Sequence, residues 1–205
     1  MGTVKSLLLG MCFVLGACTS QTSTVQTTEK GTQWEWQNGT IVVKTPERPA
    51  GQKSVLGLTT PKLEAVRVGF VGLGMRGPGA VERFTYIPGT QVVALCDYEE
   101  ARADKCQELL KKVSMPKAAV YSGDKGYEEL CKRDDIDLVY IAADWLHHFP
   151  VAKCALENGK NVAIEVPSAM NLQECWDLIN LSESTRKHCF IPVSYTHLRA
   201  HETTL

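Results

Sequence analysis

The chain has 205 residues, with 22 Lys and Arg against 23 Asp and Glu, and a net charge of −1. That balance gives no electrostatic case for nucleic acid, whose binding rests on an excess of cations facing the phosphates. With 44% hydrophobic and 22% charged residues, the composition is that of a globular domain with a core, and small molecules are its expected partners.

Residues 1–18 carry Lys5, an apolar run over 7–15 and then Leu15-Gly16-Ala17-Cys18. The run is shorter than the roughly 20 residues a spanning helix needs, and small residues before a cysteine suit a signal peptidase. The pattern resembles a bacterial lipoprotein signal peptide with Cys18 as the lipidated residue. It implies an exported protein, in the periplasm or at the cell surface, that meets the membrane through its lipid anchor only. A cleaved secretory signal with an incidental cysteine is the alternative. Residues 19–62 are rich in Thr, Gln, Pro and Gly and read as a flexible tether. One apolar island in it, Trp34-Glu35-Trp36 followed by Gly39-Thr40-Ile41-Val42-Val43, suits a short hairpin or a packing arm.

From residue 65 onward, short apolar runs alternate with amphipathic segments, the pattern of parallel strands joined by helical crossovers. Strands are expected over 65–71, 91–96, 119–121, 138–142 and 161–164, and helices over 77–84, 99–112, 126–133, 147–158 and 171–187. Asn158-Gly159 is a good helix end, and Asn171 with Glu174 resembles a capping box. The strands are apolar without alternation, as expected when helices cover both faces. The expectation for residues 63–192 is therefore an α/β, Rossmann-type doubly wound parallel sheet.

The first βα junction reads Val68-Gly69-Phe70-Val71-Gly72-Leu73-Gly74-Met75-Arg76-Gly77. In a dinucleotide-binding turn, Gly72 permits the sharp exit from the strand and Gly74 lets the backbone approach a pyrophosphate. Gly77 then allows the helix to pack closely on the sheet. The phosphates would sit on the helix N-terminus, where unpaired N–H groups and the dipole favour an anion. Asp97, twenty residues after Gly77 at the end of the second strand, suits the adenosine ribose hydroxyls. Its charge would oppose a 2′-phosphate, which points to NAD.

The fourth strand ends in Ala143-Asp144-Trp145-Leu146-His147-His148 and the fifth in Glu165-Val166-Pro167. Ligands of an open parallel sheet bind beyond the carboxyl ends of its strands, so Trp145, His147, His148 and Glu165 should converge near the nicotinamide, with His148 a polar contact. The plainer alternative is that both histidines start a helix and face water. Of eight cysteines, Cys12 and Cys18 fall in the signal, and Cys96, Cys106, Cys131, Cys154, Cys175 and Cys189 have no metal-ligand spacing. Most of those six read as small buried residues, and the sequence leaves their pairing open. No metal site is expected.

Gly72 to Gly77, Asp97, Trp145 to His148 and Glu165-Val166-Pro167 resemble the Gfo/Idh/MocA group. More narrowly, residues 69–85, Trp145-Leu146-His147-His148 and Glu165-Val166-Pro167 resemble glycoside hydrolase family 109, over roughly residues 63–192. Sugar dehydrogenases of the wider group usually carry Glu-Lys-Pro where this chain has Glu165-Val166-Pro167. The resemblance implies cofactor contacts at Met75, Arg76, Asp97, Trp145 to His148, Glu165 and Val166, and an NAD-dependent α-N-acetylgalactosaminidase activity. It further implies hydrolysis by oxidation at the sugar C3, loss of the C2 proton with expulsion of the aglycone from C1, addition of water, and reduction, with NAD recycled. Such a route needs no carboxylate pair at glycosidase spacing. The family's base and sugar-binding residues lie in a C-terminal α+β substrate domain, so the catalytic residues are expected outside this chain.

Residues 193–203 resemble translated sequencing adapter and depart from the family pattern after Pro192. His197 and His201 are therefore not read as metal ligands, and Ser194 falls where the family has a cofactor-binding asparagine. The expectation is an N-terminal fragment that binds NAD, is itself inactive, and belongs to a parent acting on N-acetylgalactosamine-containing glycans. Two alternatives stay open: an NAD-dependent sugar oxidoreductase of the same group and a non-catalytic nucleotide-binding stub. Oligomeric state is also open, a homo-oligomer included.

Overall fold

The structure, a computed structural model, describes residues 26–27 and 33–192. The expected signal, Cys18, and residues 193–205 with His197 and His201 lie outside the described residues. The chain divides into two compact units, residues 1–44 and 45–205.

In the first unit, β1 (Gln26–Thr27), β2 (Gln33–Gln37) and β3 (Thr40–Val43) form a small antiparallel sheet. The β2–β3 hairpin turns on Asn38 and Gly39, both with positive φ (50° and 79°). Asn-Gly favours that two-residue turn because its backbone twist matches the right-handed twist of the strands. Trp34 faces Val43 across the ladder and Trp36 faces Ile41, which resolves the apolar island as a hairpin.

The second unit is a six-stranded parallel sheet in the order β6-β5-β4-β7-β8-β9. Its strands are β4 (Val66–Val71), β5 (Thr90–Asp97), β6 (Ala119–Ser122), β7 (Leu138–Ile141), β8 (Asn161–Ile164) and β9 (Cys189–Phe190). The helices are α1 (Gly77–Thr85), α2 (Glu100–Lys112), α3 (Gly126–Cys131), α4 (Trp145–Glu157) and α5 (Leu172–Thr185). All five expected strands and all five helices are present, and β9 adds a two-residue edge. Alternate residues of the same strands feed two cores. Phe70, Leu95 and Tyr140 pack with Val81, Ala103 and Leu110 of α1 and α2. Val71, Cys96, Val139, Ile141 and Ile164 pack with Leu130, Val151, Ala155 and Leu178 of α3, α4 and α5. Burial on both faces is why these strands read as unbroken apolar runs.

Side-chain caps fix the starts of α4 and α5. Helix α4 begins at Trp145, two residues before the expected start, because the Asp144 carboxylate accepts the Leu146 N–H at 3.0 Å. Helix α5 begins one residue after Asn171, whose side chain accepts the Glu174 N–H at 3.0 Å. It ends at Thr185, and Arg186 just beyond takes the left-handed conformation (φ 54°) and closes the last turn.

Residues 45–62, expected as tether, include a stretch with tertiary contacts. Arg48 donates twice to Glu183 of α5, at 2.9 and 3.1 Å, and Gln52 donates to Glu183 and Asn180. Arg186 donates to the carbonyls of Lys53 and Ser54. Glu183 is a buried carboxylate, and these donors offset its desolvation. Cys96, Cys106, Cys131, Cys154, Cys175 and Cys189 are free thiols, the first three buried. Burial pushes Cys96 up to about 12 and Cys106 and Cys189 up to about 11, so they are packing residues rather than nucleophiles. No helix among the described residues is long and apolar enough to cross a membrane.

Candidate functional site

Strand order reverses direction at β4 and β7: from β4 the chain runs outward through β5 to β6, then crosses back to β7 on the other side. Beyond the carboxyl ends of these strands lies a cavity of about 990 Å³, at the position where open α/β sheets bind ligands. Gly72, Gly74, Met75, Arg76, Asp97, Trp145, His147, His148, Glu165 and Val166 all line it. Gly77 stands behind the wall and serves packing instead.

Gly72 leaves β4 with φ +90°, and its amide donates to the Cys96 carbonyl at 2.9 Å. A Cβ there would lie 2.2 Å from the Ala143 nitrogen, so the turn presses directly on the end of β7. A Cβ on Gly77 would lie 2.1 Å from the Gly72 carbonyl oxygen, which is how closely α1 approaches the strand it follows. No side chain caps α1, so no side-chain acceptor occupies its start, where Arg76 stands at the N-cap and borders the cavity. A glycine cradle that a single methyl group would fill, joined to an open helix start, fits a dinucleotide pyrophosphate.

On one side of the cavity, Asp97 is buried at the tip of β5. Its Oδ2 accepts the Leu73 N–H at 2.6 Å, and its Oδ1 accepts the Glu99 N–H at 3.0 Å and Arg102 Nη1 at 3.3 Å. Arg102 also donates to Glu99 Oε1 at 2.9 Å. Tyr98, Arg102, Asp124 and Tyr127 also line the cavity.

At the other end, the two histidines separate. His147, on the exposed first turn of α4, has Nδ1 2.6 Å from Asp144 Oδ2 and Nε2 3.4 Å from Asp124 Oδ1. Burial raises the Asp144 carboxyl, and hydrogen bonds from His147 and from the Leu146 and His147 amides outweigh it, holding the group below its ordinary value. His148 is only 1% exposed, with Nδ1 2.6 Å from the Pro167 carbonyl and Nε2 3.0 Å from the Ala143 carbonyl. Expected as a polar contact to ligand, it instead sets both ring nitrogens against backbone carbonyls, one in the loop after β7 and one in the loop after β8, and a neutral ring donates to one of them. Its ring borders the cavity, but its polar edges face backbone. The bond between Val166 and Pro167 is cis.

Glu165, at the mouth of β8, accepts the Tyr140 hydroxyl at 2.6 Å through Oε1. Tyr140 sits in the core against Phe70 and Phe84, with ring centroids 5.3 and 5.5 Å away. Burial, and then the Glu165 hydrogen bond, push its phenol up to about 12, so it stays protonated at neutral pH and donates a hydrogen bond to Glu165. Val166 and Trp145 are exposed on the rim. Among the described residues no lysine lines the cavity, and no group of three His, Cys, Asp or Glu side chains is placed to hold a metal.

A family model described as an oxidoreductase family with an NAD-binding Rossmann fold matches residues 66–192. The chain belongs to the Gfo/Idh/MocA family. Among curated relatives it is 79% identical to glycosyl hydrolase family 109 protein 4 of Phocaeicola vulgatus, over 93% of this chain and 37% of that protein. It is 57% identical to glycosyl hydrolase family 109 protein 1 of Bacteroides thetaiotaomicron, over 91% of this chain and 39% of that one. The chain thus spans under two-fifths of the length of these relatives. Among solved structures, biliverdin reductase from Synechocystis sp. PCC 6803, in complex with biliverdin and NADP+, matches with a TM-score of 0.53 and 27% identity. That match covers 62% of this chain and 37% of the reductase. Myo-inositol dehydrogenase from Lactobacillus casei, in complex with NAD(H) and myo-inositol, matches with a TM-score of 0.55 at 24% identity, a likeness of fold. It covers 62% of this chain and 36% of the dehydrogenase.

Sequence reasoning did not single out Arg102, Asp124, Tyr127 or Tyr140. Arg102 carried the one usable signal, since it follows Asp97 by five residues on the first turn of a helix leaving the same strand. Tyr140 reads as an ordinary core aromatic until β7 and β8 pair and bring its hydroxyl to Glu165.

Proposed function

We propose that this chain is the NAD-binding part of a glycosidase that removes terminal α-N-acetylgalactosamine by oxidation, elimination, hydration and reduction, the dinucleotide being recycled. The observation that carries the reading is the mouth of β8, where Glu165 is held by Tyr140 and the next residue is Val166 rather than lysine. Without an ammonium group there, the cavity wall lacks the proton-exchanging side chain that the dehydrogenases of the group bring to a substrate hydroxyl. The names of the highly similar relatives support the same branch.

In this reading the Gly72 to Gly77 turn and the start of α1 bind the pyrophosphate, and Asp97 binds the adenosine ribose hydroxyls. Trp145, His147 and Val166 line the nicotinamide end, Met75 and Arg76 border the pyrophosphate, and His148 keeps the two flanking loops in register. Glu165, oriented by Tyr140, presents its carboxylate to the reacting end. Bound NAD supplies a reversible two-electron oxidation of a sugar carbon. The base that takes the C2 proton and the groups that recognise the acetamido sugar belong to the part of the longer relatives that this chain does not match.

The test uses a protein of the relatives' length that carries residues 66–192 of this chain, incubated with an aryl α-N-acetylgalactosaminide and NAD+. The expected result is release of the phenol in large molar excess over any NADH. NADH accumulating in step with a ketosugar from free sugar, without aglycone release, would place the protein among the sugar dehydrogenases instead. The 205-residue chain alone is expected to bind NAD+ and to release no N-acetylgalactosamine.

The same reading makes the protein an exported lipoprotein anchored through Cys18. Metabolic labelling with a fatty-acid probe is expected to mark the wild-type chain and not Cys18→Ser, and equal labelling of both would refute the anchor.

A further inference from the structure

Residues Glu99 and Arg102 sit beside the one carboxylate that the ribose hydroxyls are expected to meet. We infer that Glu99 is a specificity-determining residue: it holds the Arg102 guanidinium and thereby keeps the adenosine end selective for NAD over NADP. The inference rests on the reading that Asp97 takes the adenosine ribose.

The geometry places Arg102 directly beside the carboxylate assigned to that ribose. Its Nη1 lies 3.3 Å from Asp97 Oδ1, the oxygen that also accepts the Glu99 N–H, while Oδ2 accepts the Leu73 N–H. The same Nη1 lies 3.7 Å from where a Cβ on Gly74 would be, so the guanidinium reaches across the glycine turn toward the adenosine half of the cavity. A guanidinium in that position is the group that ordinarily receives a 2′-phosphate, because its planar fork donates two parallel hydrogen bonds to phosphate oxygens. Here the fork is already committed. Nη2 donates to Glu99 Oε1 at 2.9 Å, the shorter of its two carboxylate contacts.

Charge gives the same answer. Asp97 and Glu99 together outweigh Arg102 by one negative charge, and a 2′-phosphate brought beside these three groups meets net repulsion while the guanidinium next to Asp97 is occupied. Removing the Glu99 carboxylate makes the cluster neutral and frees Nη2. NAD, with a neutral 2′-hydroxyl, is almost indifferent to the change, since Asp97 keeps the Leu73 N–H and the backbone N–H of residue 99 whatever side chain stands there. Glu99 makes no side-chain cap to α2, so its loss leaves the helix start intact. An exposed i,i+3 ion pair with only a structural role would stabilise weakly and would not distinguish the two dinucleotides.

Calorimetric titration of the full chain with NAD+ and with NADP+ tests this, using wild type, Glu99→Ala, Glu99→Ala with Arg102→Ala, and Asp97→Ala. Glu99→Ala is expected to bind NADP+ about tenfold more tightly than wild type while NAD+ affinity stays within about twofold, a gain that shrinks with added salt. The second substitution is expected to abolish the gain. An unchanged NAD+ to NADP+ ratio in Glu99→Ala, or a gain that survives loss of Arg102, overturns the inference. Undiminished NAD+ binding by Asp97→Ala would show instead that the ribose reading itself has failed, and the inference with it.

Discussion

Replacing Gly72 by alanine and, separately, Gly74 by alanine splits the two jobs of the glycine turn. At Gly72 the new Cβ meets the Ala143 nitrogen at 2.2 Å and the Ala142 carbonyl carbon and Ala143 Cα at 2.4 Å. Non-bonded heavy atoms sit about 3.5–4 Å apart, so the end of β7 must retreat by more than about 1 Å. That movement strains the Ala142 N–H bond to Val71 O, now 2.8 Å, and the Gly72 N–H bond to Cys96 O, now 2.9 Å. The φ of +90° adds about 1–2 kcal/mol for any residue with a Cβ, and overpacking of this kind adds about 1–3 kcal/mol. The sum, about 2–5 kcal/mol, is a large part of an ordinary domain's stability of about 5–15 kcal/mol. At about 2–4 °C per kcal/mol, the melting temperature should fall by about 5–20 °C. Gly74 is different: it has no positive φ, and its Cβ would be 3.7 Å from Arg102 Nη1, an ordinary contact. Gly74→Ala should therefore melt within about 1 °C of wild type and yet bind NAD+ at least about tenfold more weakly, because the methyl group stands where the pyrophosphate approaches. Thermal unfolding without ligand and calorimetric titration with NAD+ measure both. A Gly72→Ala protein that melts with wild type would refute the packing account of the turn, and a Gly74→Ala protein with wild-type NAD+ affinity would refute the cradle.

Two further predictions concern side chains. Tyr140→Phe removes the donor to Glu165 and keeps the ring packed against Phe70 and Phe84, so it should cost only about 1 kcal/mol of stability. NAD+ affinity should nonetheless drop several-fold as Glu165 loses its orientation, and equal affinity in a titration would count against a positioning role for Tyr140. Asp137 accepts from the Arg67 backbone N–H and Nε, both at 2.9 Å, and from Nη2 at 2.7 Å. The Arg67 hydrogen bond is the main reason its carboxyl sits below the ordinary value. A depressed folded-state pKa means that the stabilisation is complete above about pH 4, the unfolded value, and is lost as pH falls through the folded value. Wild type should therefore lose melting temperature faster than Asp137→Asn below about pH 4, and parallel curves for the two proteins would contradict the assignment.

The strands, the helices and the glycine turn were legible in the chain because each depends on neighbours in sequence. Apolar runs without alternation mark strands buried on both faces, and Asn158-Gly159 and Asn171 carry their cap chemistry with them. Asp144 was legible in principle, as an acid just before a helical stretch, but its capping of Leu146 moved the start of α4 by two residues. The ligand-edge set was legible for the same reason, since Asp97 ends β5 and Trp145 and Glu165 follow the ends of β7 and β8, and a parallel sheet gathers its strand ends at one edge.

Pairs formed across the fold were another matter. His147 and His148 are adjacent in sequence, yet a 100° step around α4 points one at Asp124 and Asp144 and turns the other inward to the carbonyls of Ala143 and Pro167. The sequence by itself determined a doubly wound α/β domain with a dinucleotide turn. Only the tertiary structure decided which side chains face the ligand and which hold the others in place. Local patterns follow from backbone geometry and burial, whereas the partners of Glu165, Asp97 and His148 depend on the meeting of segments up to 25 residues apart.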